Sequence, residues 1–459
     1  MKPTFWTFLC LAISLEAAKP NILLIVSDDQ RPDTIGALGN RHIQTPNLDK
    51  LVARGMTFLN ATCSNPICTP SRAEILTGCS GFRNGVLDFG GKIRPELPTL
   101  PKTLRDNGYH TWYVGKWHNN GRPRDHGYTE SQGFYAGGGG KWYKPQKDWK
   151  GDPVTGYRGW IFQDEDGNKE PEKGVGLTPD ISEKFADAAI GLVRRKPDMP
   201  FFLHVNFTAP HDPLLIPTGY ARKYPAEKVP LPKNYLPKHP FDHGNFDGRD
   251  EKMLGWPRTK EQVKANLGVY YAVIDHMDRE IGRILEALEK SGQAEETVVI
   301  FTSDHGLAVG SHGLMGKQNM YAHTIRVPMI LAGPGIPQGK QTEALCYLRD
   351  LFPTLCGLSG IDIPSEVEAR SLVPVIQGKA DSVYSEVYGV FRDKQRMVWD
   401  GRWKLIHYPQ IRLHQLFDLD ADPFEKHDKS KDSCHQDTLQ KLKAQLTQKF
   451  QEWESERDN

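Results

Sequence analysis

Four apolar stretches of this chain run without polar interruption and then end in ionisable side chains. They begin near residues 21, 110, 201 and 297. An apolar run without alternation is typical of a strand buried on both faces, as in the centre of a parallel sheet. Because ligands bind at the carboxyl ends of the strands in an open α/β sheet, the polar residues that follow these runs are expected to converge there. The sequence therefore predicts one site built from distant parts of the chain.

The strongest helix is predicted over residues 261–290. Apolar residues recur there at three- and four-residue steps, and Gly292 follows as a stop signal. Asp275, His276 and Asp278 fall within this helix. We expect them to lie on its solvent-facing or capping side rather than to bind a metal ion.

Shorter segments complete the pattern of an α/β protein. Helices are expected over residues 46–54, 100–107 and 179–195. The last 80 or so residues differ in their sequence pattern from the rest of the chain. They contain strand patterns joined by the hairpin turn Asp400-Gly401, followed by an amphipathic stripe of Leu439, Leu442, Leu446, Phe450 and Trp453. We predict a large mixed, mostly parallel sheet sandwiched by helices, plus a smaller C-terminal domain with a short antiparallel sheet and one helix. The predicted divisions are residues 1–18, 19–378 and 379–459.

The first 18 residues resemble a secretory signal peptide. Lys2 precedes an apolar run from Phe5 to Leu15, and Glu16-Ala17-Ala18 comes before Lys19. The run is too short to span a bilayer, so we expect a secreted or periplasmic protein with no membrane span in the mature chain. A retained anchor at the chain end is the alternative. The net charge of +1 gives no global attraction to nucleic acid, so none is expected as a partner.

Cysteines offer little further guidance on covalent structure. Six follow the leader, and an exported protein could pair some of them. No particular bridge is predicted. These cysteines are Cys63, Cys68, Cys79, Cys346, Cys356 and Cys434.

The stretch from Cys68 to Arg72 predicts an anion site built around one reactive side chain. It has the pattern of a loop entering a helix, since Pro70 suits the first helical turn. Cys68 would then lie at a helix N-terminus, beside free N–H groups and the cation Arg72. From the residues alone, Cys68 could also be a buried structural cysteine or a catalytic thiolate.

The pattern Cys-x-Pro-Ser-Arg at residues 68–72, followed by Ala-x-x-Leu-Thr-Gly, closely resembles the sulfatase family of the alkaline phosphatase-like superfamily. In that family the cysteine is oxidised to formylglycine, an aldehyde whose hydrate is the nucleophile. The resemblance implies this modification of Cys68, with the formylglycine-generating machinery as a partner. Further motifs in family order cover most of residues 20–345, whereas the C-terminal domain matches loosely, near residues 416–423.

A calcium site is the second feature that the resemblance implies. Asp28 and Asp29 resemble the family's calcium pair, and Asp304 followed by His305 resembles the residues that complete the site. One Ca²⁺ would be held by these four residues and by the modified Cys68. Three carboxylates suit such a hard cation, although an imidazole is a softer ligand than calcium prefers.

Three cations of the chain lie in stretches that resemble family motifs. Arg72 lies in the cysteine motif, Lys116 lies in a Gly-Lys-Trp-His stretch, and Lys317 ends a His-Gly-x-x-x-Lys stretch. The resemblance implies that they neutralise the sulfate oxygens. The ester would then be cleaved at its S–O bond.

Two histidines are implied as the acid and the base. His211, after the apolar run at residue 201, would protonate the leaving alcohol, because a sugar alkoxide leaves poorly without a proton. His118 would deprotonate the second hydroxyl of the hydrated aldehyde, which expels sulfate and restores the aldehyde. A serine or thiol lacks that second hydroxyl.

The substrate is predicted less directly, from residues 119–176. This irregular stretch interleaves aromatic and polar residues, so its rings could stack on sugars or form a local core. Residues 217–258 are expected to form a substrate loop or rim, with Tyr388, Arg392 and His407 as further rim candidates. A sulfated small molecule or polysaccharide is the expected substrate. The aromatic residues are Trp142, Tyr143, Trp149, Tyr157 and Trp160.

Two other functions use the same motifs. A related phosphomonoester or phosphonate ester hydrolase would share the fold and the metal ligands. A non-catalytic carbohydrate-binding protein would keep the scaffold alone, but Lys116, His118, His211 and Lys317 are all present, which favours an enzyme.

Overall fold

A computed structural model describes residues 19–458. The predicted leader, and the export that it implies, lie outside the described residues. Within that range the chain forms two sheets, and the larger one has nine strands. These are β1 (Asn21–Ser27), β2 (Gly55–Thr62), β3 (His110–Lys116), β4 (Glu130–Ala136), β5 (Ile161–Gln163), β6 (Phe201–Asn206), β7 (Thr297–Ser303), β8 (Met329–Ala332) and β9 (Lys340–Tyr347).

The large sheet is mixed and mostly parallel, as predicted. Its strand order is β5-β4-β3-β6-β1-β7-β8-β2-β9. The five strands from β4 to β7 in this order are parallel neighbours, whereas β5 and β8 pair antiparallel with their neighbours. The four apolar runs of the sequence are β3, β6, β1 and β7, which lie side by side, so their carboxyl ends share one edge.

Helices cover both faces of this sheet. Alternate residues of β1 pack to opposite sides, with Leu23 and Ile25 in one apolar cluster and Ile22 and Leu24 in the other. Burial on both faces explains why the strand reads as a continuous apolar run. The helices are α1 (Pro46–Arg54), α2 (Cys68–Thr77), α3 (Gly81–Asn84), α4 (Leu100–Asp106), α5 (Ile181–Val193), α6 (Lys260–Ser291), α7 (Ala322–Ile325), α8 (Leu351–Leu358) and α9 (Val373–Ile376).

Three strands of the large sheet are not predicted by the sequence pattern. β4 begins with the polar run Glu130-Ser131-Gln132, β5 is three residues long, and β9 begins with exposed polar residues. Such segments lack the apolar run or alternation that indicates a strand. Each lies at or next to an edge of the sheet.

The expectation that Asp275, His276 and Asp278 face solvent is wrong, because all three are buried. Asp278 does cap a helix, but it is α1. Its carboxylate accepts from the backbone N–H groups of Asn47 at 3.1 Å and Leu48 at 2.8 Å. A carboxylate at a helix N-terminus satisfies donors that have no partner within the helix.

The C-terminal part forms the predicted antiparallel sheet and helix. The strands are β10 (Val387–Phe391), β11 (Gln395–Trp399), β12 (Trp403–Tyr408) and β13 (Leu413–Asp418), and the helix is α10 (Gln436–Asp458). The β11–β12 turn contains Asp400-Gly401, as predicted, and the apolar stripe of α10 is buried against one face of the sheet. The boundary at residue 379 stays a prediction. Among the described residues, the search for membrane-spanning helices finds no candidate.

The other face of the small sheet packs on the part of the chain that carries the large sheet, around Tyr321. Four buried histidines, here called the histidine cluster, lie at or beside this contact. His312 stacks on Tyr321 with ring centroids 3.9 Å apart, and His239 contacts His243 at 5.4 Å. The fourth member is His323, 5.6 Å from His312. All six cysteines of the described chain are free.

Candidate active site

The acids that follow β1 and β7 lie together at the carboxyl edge of the large sheet. Asp28 and Asp29 follow β1, Asp304 follows β7, and all three are fully buried. The strands are parallel neighbours in register, and the backbone N–H of Asp29 donates to Oδ1 of Asp304 at 3.1 Å. Asp29 adopts a φ of 69°, in the left-handed region that Asp tolerates better than most residues. This turn presents two adjacent carboxylates to one space.

Cys68 lies against these acids as the first residue of α2. Its Sγ is 3.5 Å from Oδ1 of Asp28, 3.4 Å from Nε2 of His305 and 3.5 Å from Nζ of Lys317. Burial raises the pKa of the Cys68 thiol, and Lys116 and Lys317 offset this effect in part. A thiolate nucleophile is therefore disfavoured in this environment, unlike in cysteine proteases.

Three buried cations surround the acids and position 68. Arg72, one turn along α2 from Cys68, pairs with Oδ2 of Asp304 at 3.0 Å and lies 3.7 Å from Asp28. Lys317 pairs with Asp29 at 2.9 Å, and Lys116 pairs with Asp28. The cations come from three separate segments, so the site holds fixed positive groups on several sides.

A β-bulge aims Lys116 at the site. The register between β3 and β4 shifts between Val114 and Gly115, and Gly115 has a φ of 99°. A Cβ at Gly115 would lie 2.0 Å from the carbonyl oxygen of Asn206, so glycine is required. Bulges redirect the side chains near them, and here Lys116 at the strand end becomes almost fully buried.

His211 lies beside Asp29 and Lys317 and lines the same site. Its Nε2 is 2.7 Å from Nζ of Lys317 and 3.7 Å from Oδ2 of Asp29. Its Nδ1 contacts the carbonyl oxygen of Asp212 and lies 3.2 Å from Oδ1 of that residue. These contacts fix the ring so that Nε2 faces the site. Burial and then Lys317 hold the pKa of His211 well below its ordinary value.

His118 lines the same cleft, two residues beyond β3. Its ring meets Trp160 edge to face at a centroid distance of 5.0 Å. Its Nδ1 is buried and makes no hydrogen bond within the described part of the chain. Burial and then Lys116 keep the pKa of His118 well below its ordinary value, so the imidazole is neutral and can accept a proton.

The donor set fits a divalent cation. Atoms of Asp28, Cys68, Asp304 and His305 lie within 4.8 Å of one another, and those of Asp28, Asp29, Cys68 and His211 form a second such group. Burial raises the pKa of Asp29 well above its ordinary value, Lys317 lowers it in part, and Asp28 raises it further. Three buried carboxylates repel one another, so an added cation would be stabilised there, and their oxygens suit a hard ion.

A cleft of about 610 Å³ opens over these residues. Cys68, Lys116, His118, His211 and Lys317 lie at its floor and wall. A larger cavity of about 810 Å³ lies between α1 and α6, and it is lined by none of the acids, cations and histidines of the site described above. The rest of the smaller cleft is lined by Phe89, Tyr157, Trp160, Asp242, Gly244, Asn245, Phe246, Asp247, Gly248, Arg249, Asp250, Gln318 and Arg392.

The rim predictions hold in part. Arg392 and the loop around residues 242–250 line the cleft, whereas Tyr388 and His407 do not. Tyr388 packs on Trp453 of α10, and His407 stacks on His414 at 4.3 Å.

Of the two roles that the sequence left open for the aromatic residues of the 119–176 segment, the structure shows core packing, and stacking on sugars stays a prediction. Tyr157 and Trp160 line the cleft, and they also pack with Tyr135 in the apolar core. Trp149 packs on the same core, half-buried.

Sequence reasoning does not assign four polar residues of the site. Tyr157 donates to Oδ2 of Asp28 at 2.7 Å, and burial with the Asp28 charge raises the pKa of Tyr157, which keeps its hydroxyl protonated. Asn206 accepts from Arg72. Arg249 pairs with Asp212 at 2.8 Å, behind His211. Two of the four could have been found from the sequence, because Asn206 ends an apolar run and Asp212 is next to His211. Tyr157 and Arg249 could not, because they lie in segments without periodicity.

Comparison with known proteins agrees with the predicted family and fold. The sulfatase family model matches residues 20–361, and a model described as N-sulphoglucosamine sulphohydrolase, C-terminal, matches residues 310–452. The chain is 30% identical to an arylsulfatase of Clostridium perfringens over 439 residues, which covers 89% of each protein.

Two solved structures share the fold at low sequence identity. A protein in complex with its substrate D-glucosamine-2-N,6-O-disulfate has a TM-score of 0.76 at 23% identity, covering 95% of this chain and 98% of that one. The phosphonate monoester hydrolase of Silicibacter pomeroyi has a TM-score of 0.75 at 23% identity, covering 94% and 95%.

The mostly parallel sheet, with acids and cations at its carboxyl edge, defines a hydrolase of the alkaline phosphatase-like superfamily. Within that superfamily the chain belongs to the sulfatase family. It is a sulfuric ester hydrolase.

Proposed function

We propose that this enzyme cleaves sulfate monoesters of carbohydrates with a formylglycine at position 68 and one bound Ca²⁺. The observation that carries the proposal is the position of Cys68. Its Sγ lies 3.5 Å from Asp28 and 3.5 Å from Lys317, at the start of a buried helix. One reactive side chain thus lies among both the acids that would hold a cation and the cations that would hold an anion.

The chain's own cations bind and orient the sulfate group. Lys116 and Lys317 both line the cleft, where Lys116 pairs with Asp28 and Lys317 pairs with Asp29. Arg72 adds a guanidinium group near the N-terminus of α2. Charge-assisted hydrogen bonds to sulfate oxygens are stronger in this buried setting than in water.

Asp28, Asp29, Asp304 and His305 are the residues that would hold the cation. A hydrated aldehyde at position 68 would supply the nucleophile, and a divalent cation would polarise the sulfate. Oxidation of Cys68 requires the formylglycine-generating machinery, which is therefore a proposed partner.

The two histidines divide the proton transfers. His211 is held at Nδ1 by Asp212, so its Nε2 can donate a proton to the leaving oxygen. A bound sulfate monoester is anionic, and its charge would raise the pKa of His211 from the low value that burial imposes. His118, kept neutral, can accept a proton within the same cleft.

The cleft supports a sugar as the group that carries the sulfate. Phe89, Trp160 and Phe246 give it aromatic surfaces, and Asp242, Asn245 and Arg392 give it hydrogen-bonding groups. Aromatic faces with polar neighbours suit sugar rings, which carry both C–H faces and hydroxyls. A structural relative binds D-glucosamine-2-N,6-O-disulfate, which supports the same class. An exported enzyme, secreted or periplasmic, would meet such substrates, and we propose that location from the leader.

Mass spectrometry of the peptide that contains Cys68 tests the modification, with turnover of an aryl sulfate measured on the same preparation. We expect aldehyde at position 68, activity in proportion to it, and loss of activity in Cys68→Ala. Full activity with unmodified Cys68, or with Cys68→Ala, would refute the mechanism. A panel of sulfated mono- and polysaccharides then tests the substrate class.

Phosphonate or phosphate ester hydrolysis is the second candidate, because the fold matches a phosphonate monoester hydrolase closely. Parallel assays with 4-nitrophenyl sulfate, 4-nitrophenyl phosphate and an aryl phosphonate monoester separate the two. We expect the sulfate to have the highest kcat/KM, and dominant turnover of either phosphorus ester would favour the second candidate.

A further inference from the structure

Tyr157 reaches the site from the irregular segment 119–176 and belongs to none of the sequence motifs that define it. The residue lies outside the helices and strands, with a φ of 57°, a left-handed conformation that is uncommon for tyrosine. Its side chain is buried. Such a conformation persists where the surroundings over-determine it, which is common at functional sites.

The hydroxyl of Tyr157 holds one oxygen of the Asp28 carboxylate. It donates to Oδ2 at 2.7 Å, and the ammonium of Lys116 binds that same oxygen. The other oxygen, Oδ1, faces Cys68 at 3.5 Å and Arg72 at 3.7 Å. The two donors on Oδ2 thus fix the rotation of the carboxylate about its Cβ–Cγ bond and leave Oδ1 directed at position 68.

The ring of Tyr157 holds a second group of the site. It meets the imidazole of His211 edge to face, with centroids 4.9 Å apart and planes at 86°. On its other sides the ring packs on Trp160 at 4.9 Å and on Tyr135 at 6.3 Å. The ring therefore restricts the plane of His211, while Asp212 restricts its Nδ1.

We propose that Tyr157 is a positioning residue with two separable parts. Its hydroxyl orients Asp28 toward a divalent cation and position 68, and its ring orients His211 toward the leaving group. The proposal rests on the proposed function for the identity of the cation. The segment 119–176 thus holds two groups of the site in place, in addition to lining the cleft.

Tyr157→Phe tests the hydroxyl, since it keeps the ring. The matched control is Tyr135→Phe, whose hydroxyl is buried next to Tyr157 and makes no hydrogen bond within the described residues. Ca²⁺ affinity is measured by titration calorimetry on the unmodified chain, so the readout does not depend on activity. Loss of a residue that orients a metal ligand weakens metal binding by about 10–100-fold. We expect that loss in Tyr157→Phe and none in Tyr135→Phe.

Tyr157→Leu tests the ring. Relative to Tyr157→Phe, we expect a further loss of kcat/KM that is larger for a sugar sulfate than for 4-nitrophenyl sulfate, because the poorer leaving group depends more on proton donation. Circular dichroism checks that each variant is folded. If Tyr157→Leu does not fold, the comparison of Tyr157→Phe with Tyr135→Phe still tests the proposal.

Three results overturn the inference. Equal Ca²⁺ affinity in the wild type and Tyr157→Phe refutes the role of the hydroxyl and leaves the proposed function intact. An equal loss in Tyr135→Phe would assign the effect to core packing. Absence of Ca²⁺ binding by the wild-type chain would refute both the inference and the proposed calcium site.

Discussion

Lowering the pH from about 7 to about 5 should destabilise the folded chain through the histidine cluster. Burial, then the neighbouring His239, lowers the pKa of His243 to about 3. Burial also lowers the pKa of His239 to about 4. Burial and then the neighbouring His239 lower the pKa of His312 to about 3. The charged groups that face these rings are Arg258, Asp242, Lys404 and Arg31.

The direction of the change in stability follows from the histidine pKa values in the folded and the unfolded chain. The unfolded chain titrates its histidines near pH 6.5, whereas the folded chain keeps them neutral to about pH 4. Stability is therefore complete above about pH 6.5 and falls as the pH drops below it. Each histidine contributes a slope of about 1.4 kcal/mol per pH unit, or roughly 2 kcal/mol by pH 5. The three together cost about 6 kcal/mol, a large part of a typical folding free energy of about 5–15 kcal/mol.

Urea denaturation of the wild type and His243→Phe at pH 7 and pH 5 measures this loss. Neither ring nitrogen of His243 has a hydrogen-bond partner in the described part of the chain, so phenylalanine removes the titration without breaking a bond. We expect His243→Phe to lose about 2 kcal/mol less than the wild type between the two pH values. The exposed His42, changed to Gln, is the control. An equal loss in the wild type and His243→Phe would refute the reasoning.

Three further predictions concern single contacts. His211→Gln should lower kcat/KM for a sugar sulfate by about 10²–10⁴-fold and for 4-nitrophenyl sulfate by less, and equal losses would exclude a proton donor. Asp304→Asn should abolish the rise in thermal unfolding midpoint that Ca²⁺ gives the wild type, because it removes one of the buried carboxylates; an unchanged rise would place the ion elsewhere. Lys404→Met should lower the free energy of unfolding in urea by about 3–5 kcal/mol, because it leaves the buried Glu425 without the ammonium group that lies 2.5 Å away. The double variant Lys404→Met/Glu425→Met should recover most of this loss, and a double variant as unstable as Lys404→Met would contradict the argument.

The central strands and the residues just beyond them could be predicted because burial on both faces leaves a long apolar run in the sequence. Asp28, Asp29, Asp304 and His305 follow such runs directly, so strand order alone brings them near one another. Cys68 could be placed at a helix N-terminus because Pro70 and the following residues have a clear local pattern.

The residues that could not be predicted lie where contacts, not local pattern, fix the backbone. Tyr157 reaches Asp28 across 129 residues of sequence from a segment with no periodicity. Arg249 is likewise held by its ion pairs with Asp212 and Asp250. Strand β9 has exposed polar residues in its first half, because it lies at a sheet edge where one side is solvated.

The burial of α2 bears on the order of events in biosynthesis. Cys68 is 1% exposed, and every residue of its helix is buried between the sheet and neighbouring segments. If Cys68 is oxidised as proposed, the oxidising enzyme would need access to residues around position 68 that the folded chain buries. On that proposal the oxidation would come before folding, and a chain that folds with its thiol intact would keep an unmodified Cys68 until it unfolds again.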